Sequence, residues 1–330
     1  MSSKQSPRIL LFGTGSIGAV YAFILSRVGC HITAVCRSNY SAIKFNGIKL
    51  QSTIFGSQSF KPDVVVEKIP EGQYDFVVVA SKSFPLSNPA EVLLPAIRHD
   101  HTTIVLIQNG IEIERPYREK FPDNPIISCV AFLPVSQTSP GVFTHKEVER
   151  LLIGTYPASA PKSHKERAEL FGSLITGGGA TVEVHDDIQG ERWQKLLVNA
   201  SWNPICAVTR SRDAEFLSSN SKEVYKPALD VIEAIMKEIS MLAIASGYPE
   251  INDAKIGIQL GRAKARITGE KDQGVEPSMM ADVLNGRQME VDAIVGNAVR
   301  IAERLGLGEK VPMLRMLWVL AEALNSSVRR

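Results

Sequence analysis

The run Arg8-Ile-Leu-Leu-Phe-Gly-Thr-Gly-Ser-Ile-Gly18 decides the fold of the N-terminal half of this chain. Its first five residues form a short apolar run typical of a buried strand, and helical apolar spacing continues over residues 19–28. Gly29 is placed to end that helix, and the β-rich run His31–Cys36 predicts a second strand. A strand, a glycine turn, a helix and a strand within about thirty residues indicate the first unit of a parallel α/β sheet.

The spacing of the three glycines, G-x-G-x-x-G, is that of a turn that binds phosphate groups. Glycine permits the tight turn and a close approach of the backbone to a pyrophosphate, and the helix N-terminus supplies N–H groups and a positive dipole end. A glycine turn without a ligand is the simpler alternative, but the surrounding strand and helix favour a dinucleotide site. The predicted cofactor-binding residues of this turn are Gly13, Thr14, Gly15, Ser16, Ile17 and Gly18.

The end of the second strand bears on which dinucleotide binds. An NAD-binding unit usually places a carboxylate there for the ribose 2′-hydroxyl, whereas this chain has Cys36-Arg37-Ser38-Asn39. An arginine can hold a 2′-phosphate through charge-assisted hydrogen bonds, so the sequence favours NADPH/NADP+ with Arg37 as a cofactor-binding residue. A solvated charge at a strand end is the alternative.

Polar residues follow two further predicted strands, 75–80 and 101–107. Lys82 comes after the first of these strands, and Asn109 comes after the second. Ligands of an open parallel sheet lie outside the carboxyl ends of the strands, so both residues are candidates for the site. On its own, Lys82 would be interpreted as a solvated charge, and an Asn-Gly pair usually forms a turn.

After about Asp187 predicted strands give way to helices, at 222–246, 279–305 and 312–324, and Pro227 is a candidate for the true start of the first. The predicted fold is an α/β Rossmann-like N-terminal domain followed by an all-α C-terminal domain. The predicted limits are 1–187 for an NADP-binding domain and 188–330 for a helical substrate-binding and catalytic domain.

The segment Glu191–Pro204 carries Lys195, Asn199 and Asn203 at positions i, i+4 and i+8. On a helix this spacing places the three side chains along one face. An ammonium and two amides on a mostly buried helix are unfavourable unless they are paired. Their partners are either one another, as a polar seam, or a polar ligand.

Composition excludes several classes of function. The 330 residues are 44% hydrophobic and carry a net charge of +2, without a basic run interleaved with aromatic residues, so no nucleic-acid partner is expected. No apolar stretch approaches the ~18 residues of a membrane helix, and the N-terminus has no secretory signal. The four cysteines lack metal-ligand spacing and are expected to be buried, reduced thiols of a cytoplasmic protein.

Taken together, the motifs resemble those of the ketopantoate reductase family (2-dehydropantoate 2-reductase) across essentially the whole chain. The glycine turn, Arg37, Lys82 and Gln108-Asn109-Gly110 occur in the family's order. The specific part is W-x-K-x-x-x-N-x-x-x-N-P at residues 193–204, joined to Ser278, Met279, Asp282 and Glu290.

The resemblance implies NADPH-dependent reduction of ketopantoate, a small 2-keto acid, to pantoate in pantothenate and coenzyme A biosynthesis. It implies that Lys195 is the general acid and that Glu290 orients the substrate or the lysine. It also implies that Lys82 and Asn109 shape the junction of cofactor and substrate. The substrate-binding residues it implies are Asn109, Asn199, Asn203 and Ser278.

Other interpretations of the same residues stay open. Ser278 could be only a helix N-cap, and a single glutamate on a helix, such as Glu290, is normally a surface charge. Arg287 departs from the family pattern, and the charged, loop-like segment Gly261–Gly274 could reshape the mouth of the pocket. The apolar helices could pack internally or against a second subunit, so a homodimer also stays open.

Two other functions compete with ketopantoate reduction. The same residues could serve an NADPH-dependent reductase of another 2-keto acid, an imine or a secondary-metabolic carbonyl. A non-catalytic NADPH sensor could keep the glycine turn and Arg37, but would have no need of Lys195, Asn199, Asn203, Ser278 and Glu290 together.

Overall fold

The computed structural model describes residues 6–84, 89–218, 222–268 and 274–328, which form two compact units. The first unit contains the chain up to Gln108 and Ile113–Ile188. The second unit contains Asn109–Glu112 and the chain from Gln189 onward. The domain limits predicted from the sequence, 1–187 and 188–330, stay a prediction.

The first unit is built on an eight-stranded sheet in the order β12-β11-β8-β7-β6-β1-β2-β5. With β1 central, this order is that of a doubly wound dinucleotide-binding sheet, extended by two strands. The pairing of β8 with β11 is antiparallel, so the expected parallel sheet is in fact mixed. The strands of the unit are β1 (Arg8–Phe12), β2 (His31–Val35), β3 (Ile48–Ser52), β4 (Gly56–Phe60), β5 (Val64–Val66), β6 (Phe76–Val79), β7 (Thr103–Leu106), β8 (Ile126–Phe132), β9 (Val135–Ser139), β10 (Val142–His145), β11 (Arg150–Thr155) and β12 (Val182–Val184).

The register of the central strands fixes where the candidate residues lie. Phe12 at the end of β1 pairs with Val35 of β2 and with Val79 of β6. Val79 also pairs with Leu106 of β7. The four parallel strands therefore end at one edge of the sheet, which places the residues that follow each of them side by side.

A second sheet, in the order β4-β3-β10-β9, was not predicted. Of its four strands, only β3 corresponds to a strand that the sequence predicts, at residues 47–52. In β4 the sequence Gly-Ser-Gln-Ser-Phe has no alternation of apolar and polar residues, and its first four residues are exposed. Its pairing with β3 is thus an outcome of the fold that local pattern does not signal.

The helices of the first unit are α1 (Ser16–Arg27), α2 (Tyr40–Asn46), α3 (Pro89–Val92), α4 (Arg115–Lys120) and α5 (Lys162–Gly177). The sequence of residues 89–98 predicts one helix, but the structure has the short α3 and a 3₁₀ turn, Leu94–Ala96. Pro95 accounts for the difference, because proline lacks an N–H group and disfavours helical backbone in the residue before it.

The described part of the second unit contains helices and no strand, so the predicted fold class is confirmed. The long helices pack around one apolar core that includes Trp193, Ile235 and Leu314. The helices are α6 (Gln189–Asn199), α7 (Trp202–Thr209), α8 (Asp213–Ser218), α9 (Lys222–Ala245), α10 (Asp253–Thr268), α11 (Ser278–Leu284), α12 (Asn297–Arg304) and α13 (Pro312–Val328), with a π turn, Asp292–Gly296, and a 3₁₀ turn, Gly308–Lys310.

The helix expected across residues 191–204 is interrupted. Lys195 and Asn199 lie on α6, whereas Asn203 lies on α7, so the three do not share the face of one continuous helix. Pro204 provides the cause, since it cannot donate to the carbonyl of Ala200 and its ring crowds that group. The Ser201 hydroxyl also donates to the Leu197 carbonyl, a contact that often bends helices.

The helix predicted over 279–305 is also broken. It ends at Leu284, Gly286 adopts φ +60°, and the chain is irregular up to the π turn. Glycine enters this left-handed region without the steric cost that other residues carry.

Two smaller expectations for the second unit were wrong. Pro227 lies inside α9 and does not mark its start. The segment 261–274 is not a loop as far as residue 268, because α10 continues to Thr268. Residues 269–273 of that prediction lie outside the described residues.

Other expectations agree with the structure. Within the described ranges, no helix is both long and apolar enough to cross a membrane. All four cysteines are buried thiols without a disulfide, as predicted: Cys30, Cys36, Cys129 and Cys206.

Two glycines of the first turn should respond differently to alanine. A Cβ at Gly18 would lie 2.1 Å from the Gly13 carbonyl oxygen, whereas a Cβ at Gly15 meets nothing within 4 Å. We expect Gly18→Ala to lower the free energy of unfolding by about 1–3 kcal/mol through overpacking. Gly15→Ala, at the start of α1, should cost less than about 1 kcal/mol. Urea unfolding of both variants measures the difference, and equal losses would contradict the geometry of this turn.

Candidate active site

The glycine turn after β1 has the shape of a phosphate cradle. Gly13 adopts φ +100°, and a Cβ there would lie 2.4 Å from the Ser81 amide nitrogen beyond β6. Gly13 and Gly18 are therefore required by close packing, whereas Gly15 leaves its backbone open to a ligand. Ser16 and Ile17 form the first turn of α1, where free N–H groups favour an anion.

Buried polar side chains hold this turn in place. Thr14 donates from Oγ1 to the Val35 carbonyl at 3.2 Å, and Asn39 donates from Nδ2 to the Thr14 carbonyl at 3.0 Å. Asn39 also exchanges hydrogen bonds with Gln137 of the second sheet, at 3.1 and 2.8 Å. The sequence analysis did not identify Asn39 or Gln137, and Gln137 has no local motif that could have revealed it.

Arg37 lies two residues beyond β2, at the same sheet edge as the glycine turn. Its side chain is exposed and makes no hydrogen bond or ion pair within the described part of the chain. An unengaged guanidinium beside a phosphate cradle can bind a further phosphate with paired hydrogen bonds.

Lys82 and Gln108 follow β6 and β7 in the first unit. Lys82 is half-buried. Gln108 is buried, donates from Nε2 to the Ser81 carbonyl at 2.7 Å and accepts from the Tyr117 hydroxyl at 3.4 Å. Gln108 therefore ties together the segments that follow two neighbouring strands.

In the second unit the structure brings Lys195 and Asn109 into contact. The half-buried Lys195 donates from Nζ to Asn109 Oδ1 at 2.9 Å. Burial, and to a smaller extent the Arg192 cation, lower the pKa of Lys195 to about 8, although the Glu290 carboxylate acts in the opposite direction. An ammonium of this pKa, oriented by an amide oxygen, can both hold and release a proton near neutral pH.

Arg192 was not predicted, although it lies one helical turn before Lys195. It is 3% exposed and donates from Nη1 to the Gly110 carbonyl at 3.0 Å. The signal in the sequence is the i, i+3 spacing from Lys195, which places both cations on one side of α6.

Of the remaining candidates, Asn203 on α7 contacts Ser278 on α11, whereas Asn199 on α6 contacts neither through a hydrogen bond. Asn203 is buried and donates from Nδ2 to Ser278 Oγ at 3.4 Å. Ser278 is the first residue of α11 and Pro277 is its N-cap, so the interpretation of Ser278 as a cap was wrong. Asn199 is half-buried at the end of α6, and its side chain makes no hydrogen bond to any other described residue.

Two further charged residues lie on the segment that follows α11. Glu290 is 9% exposed and lies on the irregular segment before the π turn, so it is neither helical nor a surface charge. Arg287 donates from Nε to the buried carboxylate of Asp282, within α11, at 3.2 Å.

Comparison with known proteins agrees with this arrangement. The chain matches the family model "Ketopantoate reductase PanE/ApbA" over residues 9–158 and "Ketopantoate reductase PanE/ApbA C terminal" over residues 187–325. A 2-dehydropantoate 2-reductase of Mesorhizobium japonicum is 30% identical over 322 residues, covering 90% of this chain and 92% of the relative.

Solved structures show the same fold. A 2-dehydropantoate 2-reductase from Methylococcus capsulatus is 29% identical with a TM-score of 0.82, and 98% of each chain is covered. D-Mandelate dehydrogenase, in a ternary structure with NADH and anilino(oxo)acetate, has a TM-score of 0.82 at 18% identity, with 98% of this chain and 100% of that one covered. At this identity the second likeness concerns the fold alone. With two family models that cover most of its length, the chain belongs to the ketopantoate reductase family of NAD(P)-dependent oxidoreductases.

Proposed function

We propose that this enzyme uses NADPH to reduce 2-dehydropantoate (ketopantoate) to pantoate, a step of pantothenate and coenzyme A biosynthesis. The observation that carries the proposal is the contact of Lys195 Nζ with Asn109 Oδ1 at 2.9 Å, with the lysine pKa near 8. The names of its relatives in bacteria support this substrate.

The first unit offers the residues that would hold the cofactor. Gly13 and Gly18 leave no room for side chains, and Gly15 opens the backbone of the turn to a pyrophosphate. Arg37 would pair with a 2′-phosphate, and Lys82 would contact the cofactor beyond β6. When bound, NADPH supplies the hydride for the reduction.

Lys195 would supply the proton. As the substrate carbonyl carbon is reduced, negative charge develops on its oxygen, and an adjacent ammonium stabilises that charge and transfers a proton from Nζ. Asn109 limits the directions in which the ammonium can point. Glu290 favours the protonated form, because a nearby carboxylate stabilises a cation.

Polar groups on the neighbouring helices would hold the substrate. Asn199 has donors and an acceptor that are not engaged by other described side chains, and Asn203 with Ser278 offers an amide and a hydroxyl. These groups suit the carboxylate and carbonyl oxygens of a small 2-keto acid. Glu290 would orient the substrate or Lys195.

The pH dependence of turnover tests the role of Lys195. Reduction needs its protonated form, so kcat/KM for the keto acid should fall about tenfold per pH unit above a midpoint near pH 8. The reverse oxidation needs the neutral form, and its rate should rise through the same midpoint.

Lys195→Ala should reduce kcat roughly 10²–10⁴-fold and leave NADPH affinity unchanged. A Lys195→Ala variant with wild-type turnover would exclude the lysine as the acid.

Cofactor choice is tested at Arg37. We expect Arg37→Ala to weaken NADPH binding by about 1.5–3 kcal/mol, since charge-assisted hydrogen bonds to the 2′-phosphate are lost. NADH lacks that phosphate and serves as the matched control, with its Kd changed little. Fluorescence titration of the two cofactors measures both values. Equal weakening of NADPH and NADH binding would mean that Arg37 does not recognise the phosphate.

The substrate is tested by following NADPH oxidation with a panel of 2-keto acids. We expect ketopantoate to give the highest kcat/KM by a wide margin. A different preferred keto acid or imine would show a related reductase with another substrate. Absence of turnover with every compound, together with tight NADPH binding, would favour the non-catalytic sensor.

A further inference from the structure

The segment Asn109–Glu112 is fixed to the helical unit along its length. Gly110 adopts φ +108°, and a Cβ there would lie 2.4 Å from the Ala293 carbonyl oxygen of the π turn. The Ile111 amide donates to the same Ala293 carbonyl at 3.2 Å, and Asn297 donates from Nδ2 to the Ile111 carbonyl at 2.6 Å. The Ile111 side chain is 1% exposed within the helical core.

The two ends of the segment are held by arginines. At the far end, Glu112 forms an ion pair with Arg304 of α12. At the near end, Arg192 donates to the Gly110 carbonyl at 3.0 Å, one peptide unit away from the side chain of Asn109. Because Asn109 accepts from Lys195, the Arg192 contact lies next to the group that orients the proposed acid.

We propose that Arg192 is a positioning residue for Lys195: it fixes the Gly110 carbonyl so that Asn109 Oδ1 meets Lys195 Nζ, and it places a permanent cation beside that ammonium. The proposal rests on the proposed function, in which Lys195 is the proton donor. It assigns Arg192 no contact with substrate or cofactor.

The position of Arg192 gives it two effects on one atom. A guanidinium is a planar fork of hydrogen-bond donors that also carries a charge. Arg192 can therefore both hold the Gly110 carbonyl and act on Lys195 through its charge. A like charge disfavours the protonated ammonium, whereas Glu290, ahead of the π turn, favours it. Arg192 therefore makes the proton of Lys195 easier to transfer.

Two substitutions separate the charge of Arg192 from its geometry. Arg192→Gln removes the cation, and Arg192→Lys keeps the cation but loses the planar fork. Arg315→Gln is a matched control, because Arg315 pairs with Glu303 and Glu309 on an exposed part of the same unit. The titration midpoint of Lys195 is read without turnover, from the ¹³Cε resonance of labelled lysine assigned with Lys195→Ala.

In Arg192→Gln we expect the Lys195 midpoint to rise by about one pH unit. The alkaline limb of kcat/KM should move with it, and kcat/KM below that limb should fall about tenfold or more through misplacement of the acid. In Arg192→Lys the midpoint should stay near the wild-type value while kcat/KM still falls. NADPH affinity should be unchanged in all variants.

An unchanged Lys195 midpoint in folded Arg192→Gln overturns the proposal, whatever its turnover. If Arg192→Gln does not fold, Arg192→Lys decides: reduced kcat/KM with wild-type NADPH affinity supports the proposal, and wild-type kcat/KM overturns it. Failure of the reaction itself is distinguishable, because wild type would then reduce no keto acid while the Lys195 midpoint still responds to Arg192.

Discussion

The hydrogen bond from Lys195 to Asn109 is the contact on which the proposed chemistry of this protein depends. An ammonium removed from water loses hydration, and the second cation of Arg192 adds to that cost. One amide oxygen and one nearby carboxylate offset it only in part. The result is a lysine whose proton is held weakly enough to be transferred near neutral pH, which is a property of its surroundings more than of its residue type.

Those surroundings are built by irregular backbone. Helix α11 stops at Leu284, and the chain then passes through Gly286 and Glu290 into a π turn. The π turn leaves the Ala293 carbonyl directed at the Ile111 amide, and the segment that carries Asn109 docks there. Interruptions of this kind in helices are frequent at functional sites, because a regular helix would occupy its own carbonyl groups.

Sequence reasoning identified the central strands, the glycine turn, the helical second half and the candidate residues, because periodicity and motif spacing are local signals. It missed the second sheet, since the polar strand β4 carries no periodic signal. It predicted one continuous helix through Ala200, although Pro204 cannot donate the helical hydrogen bond to the carbonyl of that residue. It proposed Glu290 for the site but placed it on one helix over residues 279–305, because the break of that helix after Leu284 depends on tertiary packing that local pattern does not signal. Arg192 and Asn39 were missed for the same reason: their partners are backbone carbonyls remote in sequence.

The assignment of Asn109–Glu112 to the helical unit has a consequence for modularity. Ile111 packs into the core that is otherwise formed by residues from Gln189 onward. In the sequence, however, it lies far ahead of Gln189, between two stretches that belong to the first unit. A fragment that began at Gln189 would lack this side chain. Its core would contain a cavity, and such a cavity destabilises a packed interior. The helical half therefore cannot be exchanged between homologues on its own. A recombinant must carry the segment Asn109–Glu112 from the same parent as the helices against which it packs.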